Sequence, residues 1–232
     1  MNKGLLGTVS VVALVAAHPA FAATPVVYNW TGCYVGANAG GGWSRTGVSN
    51  GAGGFIVSVT SPSDQVIDTN PSGFIGGGQV GCNYQFMPAF VVGLQGDLDA
   101  AGLRGSAVSP FTSPQSLIDV KANWLASVTG RAGYAWDRWL VYAKGGGAWI
   151  GDKYNVTYGT TWTGSETRSG WTLGGGVEWA FANNWSALFE YDYYDFGAHD
   201  VTVTNAGSTT LINVKQNVSV VKFGLNFHFG AP

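Results

Sequence analysis

The sequence predicts an all-β chain folded as an eight-stranded antiparallel up-and-down β-barrel that crosses a membrane, with long extracellular loops and short periplasmic turns. Three observations carry that reading. The last stretch, Val218 to Phe229, places Val221, Phe223, Leu225, Phe227 and Phe229 on one phase, and Val220, Lys222, Gly224, Asn226 and His228 on the other. This is the period-two pattern of a strand with one oily and one wet face. Only 10% of residues are charged, while aromatics reach 14% and glycines number 36; a typical soluble chain is roughly 25% charged. Finally, the N-terminus carries an export signal.

That signal spans residues 1–22. Lys3 is the lone charge before the apolar run Leu5 to Ala17, which leads to Pro19 and the Ala20-Phe21-Ala22 triplet. A basic start, a short apolar middle and a small-x-small end describe a secretory signal cut after Ala22. The run is shorter than the ~20 residues a spanning helix needs. The rest divides into an extended N-terminal segment, residues 23–31, and a barrel, residues 32–232. A formal charge of -2 argues against general nucleic-acid binding.

Taken in order, the first strand runs from Gly32 to Ser44, with Val35, Ala37, Ala39 and Trp43 on one phase. Residues 45–72 are rich in Gly, Ser, Thr and Asp and read as a long loop with a strand-like piece at Phe55 to Thr60. The second strand, Gly73 to Gln85, sets Phe74, Val80, Cys82 and Tyr84 against Gln79 and Asn83, and turns at Phe86-Met87-Pro88. The third, Phe90 to Ala101, alternates most clearly: Phe90, Val92, Leu94 and Leu98 against Gln95, Asp97 and Asp99. A second loop covers Gly102 to Ile118.

The fourth strand, Val120 to Ala135, sets Trp124, Val128, Ala132 and Tyr134 against Lys121, Asn123, Ser127, Thr129 and Arg131, before a turn at Asp137-Arg138. The fifth, Trp139 to Gly151, points Val141, Ala143 and Trp149 outward and Tyr142 and Lys144 inward; loop three follows from Asp152 to Arg168. The sixth, Gly170 to Phe181, opposes Trp171, Leu173, Val177 and Trp179 to Thr172 and Glu178, and turns at Asn183-Asn184. The seventh, Trp185 to Tyr194, opposes Trp185, Ala187, Phe189, Tyr191 and Tyr193 to Ser186, Glu190 and Asp192. Loop four, Asp195 to Asn213, leads into the closing strand. An even strand count with alternating long loops and tight turns is the pattern of a bacterial outer-membrane barrel.

Charge tests the assignment of faces. Asp97, Asp99, Lys121, Arg131, Lys144, Glu178, Glu190, Asp192 and Lys222 all fall on the phase opposite the bulky apolar residues. Trp43, Tyr84, Trp124, Tyr134, Trp149, Trp171, Trp179 and Trp185 sit at strand ends on the apolar phase, where membrane interfaces select girdles. Four inward bases then face five inward acids. An unpaired charge there costs several kcal/mol, so an ion-pair network bridging opposite walls is expected. An eight-stranded interior is only wide enough for side chains to fill it. The expectation is a plugged cylinder.

Other motifs have plainer readings. Gly76 to Gly81 matches GxGxxG, yet it lies inside a strand with no helix following to receive a phosphate. Small residues that let a wall curve explain it. Cys33 and Cys82 both fall on the outward phase near the short-turn ends of adjacent strands. They are either a cross-strand disulfide, favoured in an oxidising periplasm, or two unrelated small apolar residues. His18 leaves with the signal, His199 lies in loop four and His228 points into the lumen. No outward Ser–His pair and no clustered metal-ligand spacing occurs in the sequence, so no enzyme, metal or cofactor is expected.

Several stretches together resemble the small outer-membrane immunogenic-protein family, an OmpA-like eight-stranded porin-family group of Gram-negative bacteria. They are the runs beginning at Trp30, Gly76, Trp124, Gly170, Glu190 (Glu-Tyr-Asp-Tyr-Tyr-Asp-Phe-Gly) and Val221 (Val-Lys-Phe-Gly-Leu-Asn-Phe-His-Phe). The resemblance covers essentially the whole mature chain. It implies a cell outer-membrane barrel with exposed loops and a role in envelope integrity or surface contact, and it transfers no catalytic residue. Partners implied are outer-membrane lipid and lipopolysaccharide, and the barrel-assembly machinery during biogenesis; no surface partner is named. The family's assembly signal maps onto Phe223, Leu225, Phe227 and Phe229, although Gly230-Ala231-Pro232 follow here where the family ends on an aromatic. Where the family carries aromatics, this chain has Cys33 and Cys82, and that paired replacement favours the disulfide. The expected function is structural, with a narrow diffusion channel or a loop-borne adhesin as alternatives.

Overall fold

Ten strands form a single antiparallel sheet in a computed structural model that describes residues 28–50, 67–108, 117–158 and 160–229. In chain order they are β1 (Gly32–Asn50), β2 (Ile67–Thr69), β3 (Ser72–Gln85), β4 (Phe90–Ala101), β5 (Arg104–Val108), β6 (Leu117–Trp136), β7 (Trp139–Tyr158), β8 (Thr160–Trp179), β9 (Trp185–Asn205) and β10 (Ser208–Phe229). The expected signal at 1–22 lies outside the described residues.

Closure comes from β1, which pairs with β10 along one edge (Cys33 opposite Phe229) and with β3 along the other (Cys33 opposite Cys82). Around the ring the order is β1, β3, β4, β6, β7, β8, β9, β10, an eight-stranded up-and-down barrel closed at the level of its belts. The short strands are continuations of their neighbours. β2 prolongs the β3 wall beyond Asn70-Pro71, where proline cannot donate to the ladder; β5 prolongs β4 beyond Gly102-Leu103, pairing with β6 from Arg104 opposite Lys121. The wall is thin where strands meet closely. A Cβ on Gly40 would overlap the Val221 carbonyl, and one on Gly146 that of Val128, so only glycine allows these approaches.

The outward face defines a membrane band. On β7 the belts are Trp139 and Trp149, on β6 Tyr134 and Trp124, and on β8 Trp179 and Trp171. Eight to ten residues separate the members of each pair, which at ~3.3 Å per residue and ~40° tilt is about 20–25 Å, the height of an outer-membrane apolar band. Between the belts the wall presents Val80, Leu94, Leu98, Val128, Leu173, Phe189, Phe223 and Leu225, all exposed.

Where loops three and four are expected, the strands do not stop beyond the outer belt; residues 51–66 and 109–116, within the expected loops one and two, lie outside the described residues. β7 and β8 run through the segment read as loop three to their meeting at residues 158–160, and β9 and β10 run through loop four to a two-residue turn. In that turn Ala206 and Gly207 both have positive φ (43° and 88°), as hairpins of matching twist require. Over this stretch the polarity of both faces reverses, and on β10 it does so with the phase kept. On β10 the inward set passes from His228, Asn226 and Lys222 to Val220, Val218, Val214 and Ile212, while the outward set passes from Phe229, Leu225 and Phe223 to Ser219, Asn217 and Lys215. The lower half is a membrane barrel, wet inside and oily outside. The upper half is an ordinary soluble one, with two apolar clusters as its core: Ile75, Leu103, Leu125, Ile150, Tyr194, Phe196 and Val218 below, then Val48, Ile118, Tyr154, Val156, Val203 and Ile212 above.

Candidate functional site

The lower lumen is where the chain concentrates its chemistry, and alternation puts it there. Inward positions of β4, β6, β7, β8, β9 and β10 bring Asp97, Asp99, Arg131, Lys144, Glu178, Glu190, Asp192 and Lys222 together at mid-barrel, all at most 5% exposed. Lys222 Nζ lies 3.1 Å from Asp97 Oδ1, 3.1 Å from Glu190 Oε1, 3.2 Å from Asp192 Oδ2 and 3.9 Å from Asp99 Oδ2. Lys144 Nζ shares three of those partners, Glu190 at 2.6 Å, Asp192 at 3.2 Å and Asp97 at 3.4 Å. Arg131 forms a separate pair with Glu178 at 2.8 Å, and its guanidinium lies 3.9 Å from the centre of the Tyr142 ring.

Neutral donors complete the network, most of them from positions that the alternation already places on the inward phase. Tyr142 donates to Glu190 at 2.7 Å, Ser127 to Asp97 at 3.1 Å, and Ser186 and Asn226 to Glu178 at 2.6 and 2.7 Å. Gln79 donates to Asn226 at 2.7 Å and accepts from Asn38 at 2.8 Å, while Arg131 and Gln95 both bond the Tyr34 hydroxyl. All eight walls of the ring therefore hold one cross-linked polar layer. Such layers are stabilising only when satisfied, and a half-satisfied one is worse than none.

Lys121 is the exception, and a correction to the expected lumen set. The β6–β7 register shifts between Ala122 and Trp124, a bulge that exchanges the two faces. Beyond it Ile118, Val120 and Ala122 point inward, and Lys121 stands outside, half-buried. The mid-barrel layer thus holds three bases against five acids. A second buried pair, Arg168 with Asp152, sits in the upper core with Tyr154 donating to Asp152 at 3.1 Å. Both residues bound the expected loop three, although each continues the inward phase of its strand.

The periplasmic mouth is closed by the N-terminal segment. Tyr28 and Trp30 are 3% and 1% exposed and pack with Val91, Ala135, Leu140, Tyr142 and Ala180. Trp30 Nε1 donates to the Asp137 carbonyl at 3.2 Å, Trp30 N to Gln85 Oε1 at 2.9 Å, and the Tyr28 hydroxyl to the Asn183 carbonyl at 3.2 Å. Burial pushes the Tyr28 phenol up to about 12, so it remains a neutral donor at ordinary pH. Trp30 also meets His228 edge-on, with ring centres 6.0 Å apart.

Ser186, His228 and Glu178 meet in this floor. His228 Nε2 lies 2.8 Å from Ser186 Oγ and 3.4 Å from Glu178 Oε1, and none is more than 4% exposed. A hydrolytic relay needs nucleophile and acid on opposite ring nitrogens and a reachable hydroxyl; here both face the same nitrogen in a closed interior. On the outer wall, Cys33 of β1 and Cys82 of β3 are joined by a disulfide, below the outer belt and exposed to the membrane side. Of the assembly-signal residues, Phe223, Leu225 and Phe229 are exposed outward, and Phe227 stacks edge-on with Trp185 at 5.2 Å.

A closed barrel with a lipid-facing band and a polar interior is the setting in which comparison with known proteins becomes informative. The model of the outer membrane protein beta-barrel domain family matches residues 8–229. This chain belongs to that family. Relatives within it include the 31 kDa outer-membrane immunogenic protein of Brucella melitensis biotype 1, 33% identical over 220 residues, covering 89% of this chain and 87% of that one. The 22 kDa outer membrane protein of Rhizobium leguminosarum bv. viciae is 36% identical over 134 residues, 57% of either chain. Among solved structures, the outer membrane protein OprG of Pseudomonas aeruginosa superposes with a TM-score of 0.51 at 11% identity, covering 86% of this chain and 97% of that one. That likeness concerns the fold. Membership of the outer membrane protein beta-barrel domain family places the chain in the outer membrane.

Proposed function

We propose that this protein is a structural, non-conducting barrel of the outer membrane that acts through the surface it raises above the bilayer and catalyses no reaction. The observation that carries the reading is a lumen occupied from end to end: Tyr28 and Trp30 at the mouth, the ionic layer at mid-height, and two apolar clusters above it. A permeating ion would have to displace Lys144 and Lys222 from the carboxylates that hold them, and then pass a mainly apolar upper core whose buried charges, Arg168 and Asp152, are already paired with each other. Among the described residues the catalytic alternative finds the Ser186–His228–Glu178 cluster, whose hydroxyl is buried and whose geometry serves packing.

The division of labour follows from the two halves. Aromatic belts set depth, the mid-barrel layer ties the eight walls into one cylinder, and the disulfide fastens β1 to β3 near the periplasmic end. The upper half then stands well clear of the membrane: from Trp149 to Tyr158 on β7 is nine residues, about 20 Å along the normal at ~3.3 Å per residue and ~40° tilt. Its outward face on β8 is a row of small hydroxyls, Thr161, Thr163, Ser165, Thr167 and Ser169, and this favours surface contact as a second reading.

Planar-bilayer recording tests the first reading. The refolded chain is expected to insert without a steady current. A reproducible unit conductance that Arg131→Gln alters would overturn it in favour of a narrow diffusion channel. For the second reading, replacing the Thr and Ser row of β8 by alanine should abolish attachment of whole cells to any surface that cells with the unaltered protein bind, while leaving the folded barrel intact.

A further inference from the structure

The bulge that turns Lys121 out of the lumen places it in unusual company. Lys121 is directly opposite Arg104 on β5 and directly opposite Lys153 on β7, so three cations occupy one rung across three adjacent strands. All three project outward, with Arg104 and Lys153 exposed and Lys121 half-buried. Directly opposed side chains on a sheet have Cβ atoms only about 5 Å apart, and like charges so placed repel. Among the described residues one carboxylate is near, Asp119, a step farther from the membrane and opposite Ser106 and Asn155. It forms no ion pair with any of them among the described residues, whose ion pairs all lie inside the barrel. The rung borders a surface cleft of about 400 Å³ lined by Arg104, Gly105, Ser106, Asp119, Lys121 and Asn155.

The height of this rung names its ligand. Lys153 is four residues beyond Trp149 on the same outward phase of β7, about 10 Å farther along the membrane normal at ~40° tilt. Lys121 stands three residues beyond Trp124 on β6. An aromatic belt marks the edge of the hydrocarbon, so the cations ring the level of the lipid headgroups, and their long stems bend back toward it. Guanidinium and ammonium groups are the donors that fit phosphate oxygens, Arg in a fork and Lys as a point charge.

We propose that Arg104, Lys121 and Lys153 form a docking site for the phosphate groups of the outer-leaflet glycolipid, lipopolysaccharide. The phosphate supplies the counter-charge that the sheet withholds, and the hydroxyl of Ser106 and amide of Asn155 lie beside it as neutral donors. The opposite flank is less charged: Arg45 and Lys215 share a surface cleft with Asp68, two cations to one carboxylate, against three to one here. The proposal depends on the barrel's place across an outer membrane and is independent of whether the lumen conducts.

The test uses the full mature chain folded in neutral phosphatidylcholine vesicles, in the same vesicles doped with lipid A bearing both phosphates, and in vesicles doped with dephosphorylated lipid A. Thermal unfolding is followed by loss of the fast-migrating folded band. Phosphorylated lipid A is expected to raise the wild-type midpoint, and dephosphorylated lipid A to leave it unchanged. Arg104→Gln/Lys121→Gln/Lys153→Gln is expected to lose that increment while unfolding in neutral vesicles no earlier than wild type, since removing repulsion costs nothing there. Arg45→Gln/Lys215→Gln should keep the increment. Millimolar inorganic phosphate added to neutral vesicles separates lipid-borne from free phosphate; an equal shift with it would overturn the lipid assignment. An increment retained by the triple variant, or reproduced by dephosphorylated lipid A, would overturn the site.

Discussion

Replacing Lys222 by methionine removes the ammonium that touches four carboxylates while nearly preserving the stem that fills the lumen. In the folded protein Asp97, Glu190 and Asp192 would then converge on Lys144 alone, and Asp99 would lose the cation it faces. Taking one partner from a buried ionic cluster costs about 3–5 kcal/mol. That is a fall of roughly two to three and a half orders of magnitude in the folding equilibrium. With a urea slope of about 2 kcal/mol per molar the midpoint should drop by about 1.5–2.5 M. The assay is equilibrium unfolding in lipid vesicles, read by tryptophan fluorescence and by band migration before and after boiling. Lys121→Met is the internal control: half-buried outside the wall, it should change stability by about 0.5 kcal/mol or less. If Lys222→Met unfolds at the wild-type midpoint, or if both substitutions cost the same, the ionic layer does not hold the cylinder together and the reasoning fails.

Other expectations follow from the same geometry. Cys33→Ala/Cys82→Ala, or reduction, frees a 49-residue separation in the unfolded chain and should cost about 2–4 kcal/mol; urea midpoints with and without reductant read it, and the reductant should have no effect on the double variant. Trp30→Ala removes the 1%-exposed centre of the periplasmic floor and should cost about 3–5 kcal/mol, measured by the same unfolding. Leu94→Arg, at a lipid-facing position 68% exposed, should cost about 2–4 kcal/mol in a bilayer. Thr163→Arg, outward but above the belt, should cost under about 0.5 kcal/mol in the same assay.

How legible this protein is in its sequence varies by region and for physical reasons. Phe223, Leu225 and Phe229 against Lys222, Asn226 and His228 state the lipid and lumen faces directly, because a strand's period is two and charge has nowhere else to go. The upper half is just as regular, yet Val48, Val156, Val201, Val203, Ile212 and Val214 alternate there with Thr, Asn and Ser. That inverted polarity, rich in Gly and Thr, reads as loop when a lipid-facing stripe is the signal sought. Following the inward phase of β7 and β8 outward would have found Asp152 and Arg168. Lys121 was misplaced because a one-residue bulge leaves no compositional trace, and it carries every later side chain to the other face. The floor made by Tyr28 and Trp30 was illegible, because its contacts with Asp137, Gln85 and Asn183 join residues more than fifty positions apart.

The reversal of polarity at one height can be measured directly. Single cysteines with nitroxide labels on β10, at Asn213, Lys215, Asn217, Val221, Phe223 and Leu225, report collisions with oxygen, which concentrates in hydrocarbon, and with a water-soluble nickel chelate. Labels at Val221, Phe223 and Leu225 are expected to be oxygen-accessible and nickel-protected, and those at Asn213, Lys215 and Asn217 the converse. Labels at Val214 and Lys222 should meet neither. Nickel access at Phe223 and Leu225, or oxygen access at Lys222, would contradict the account.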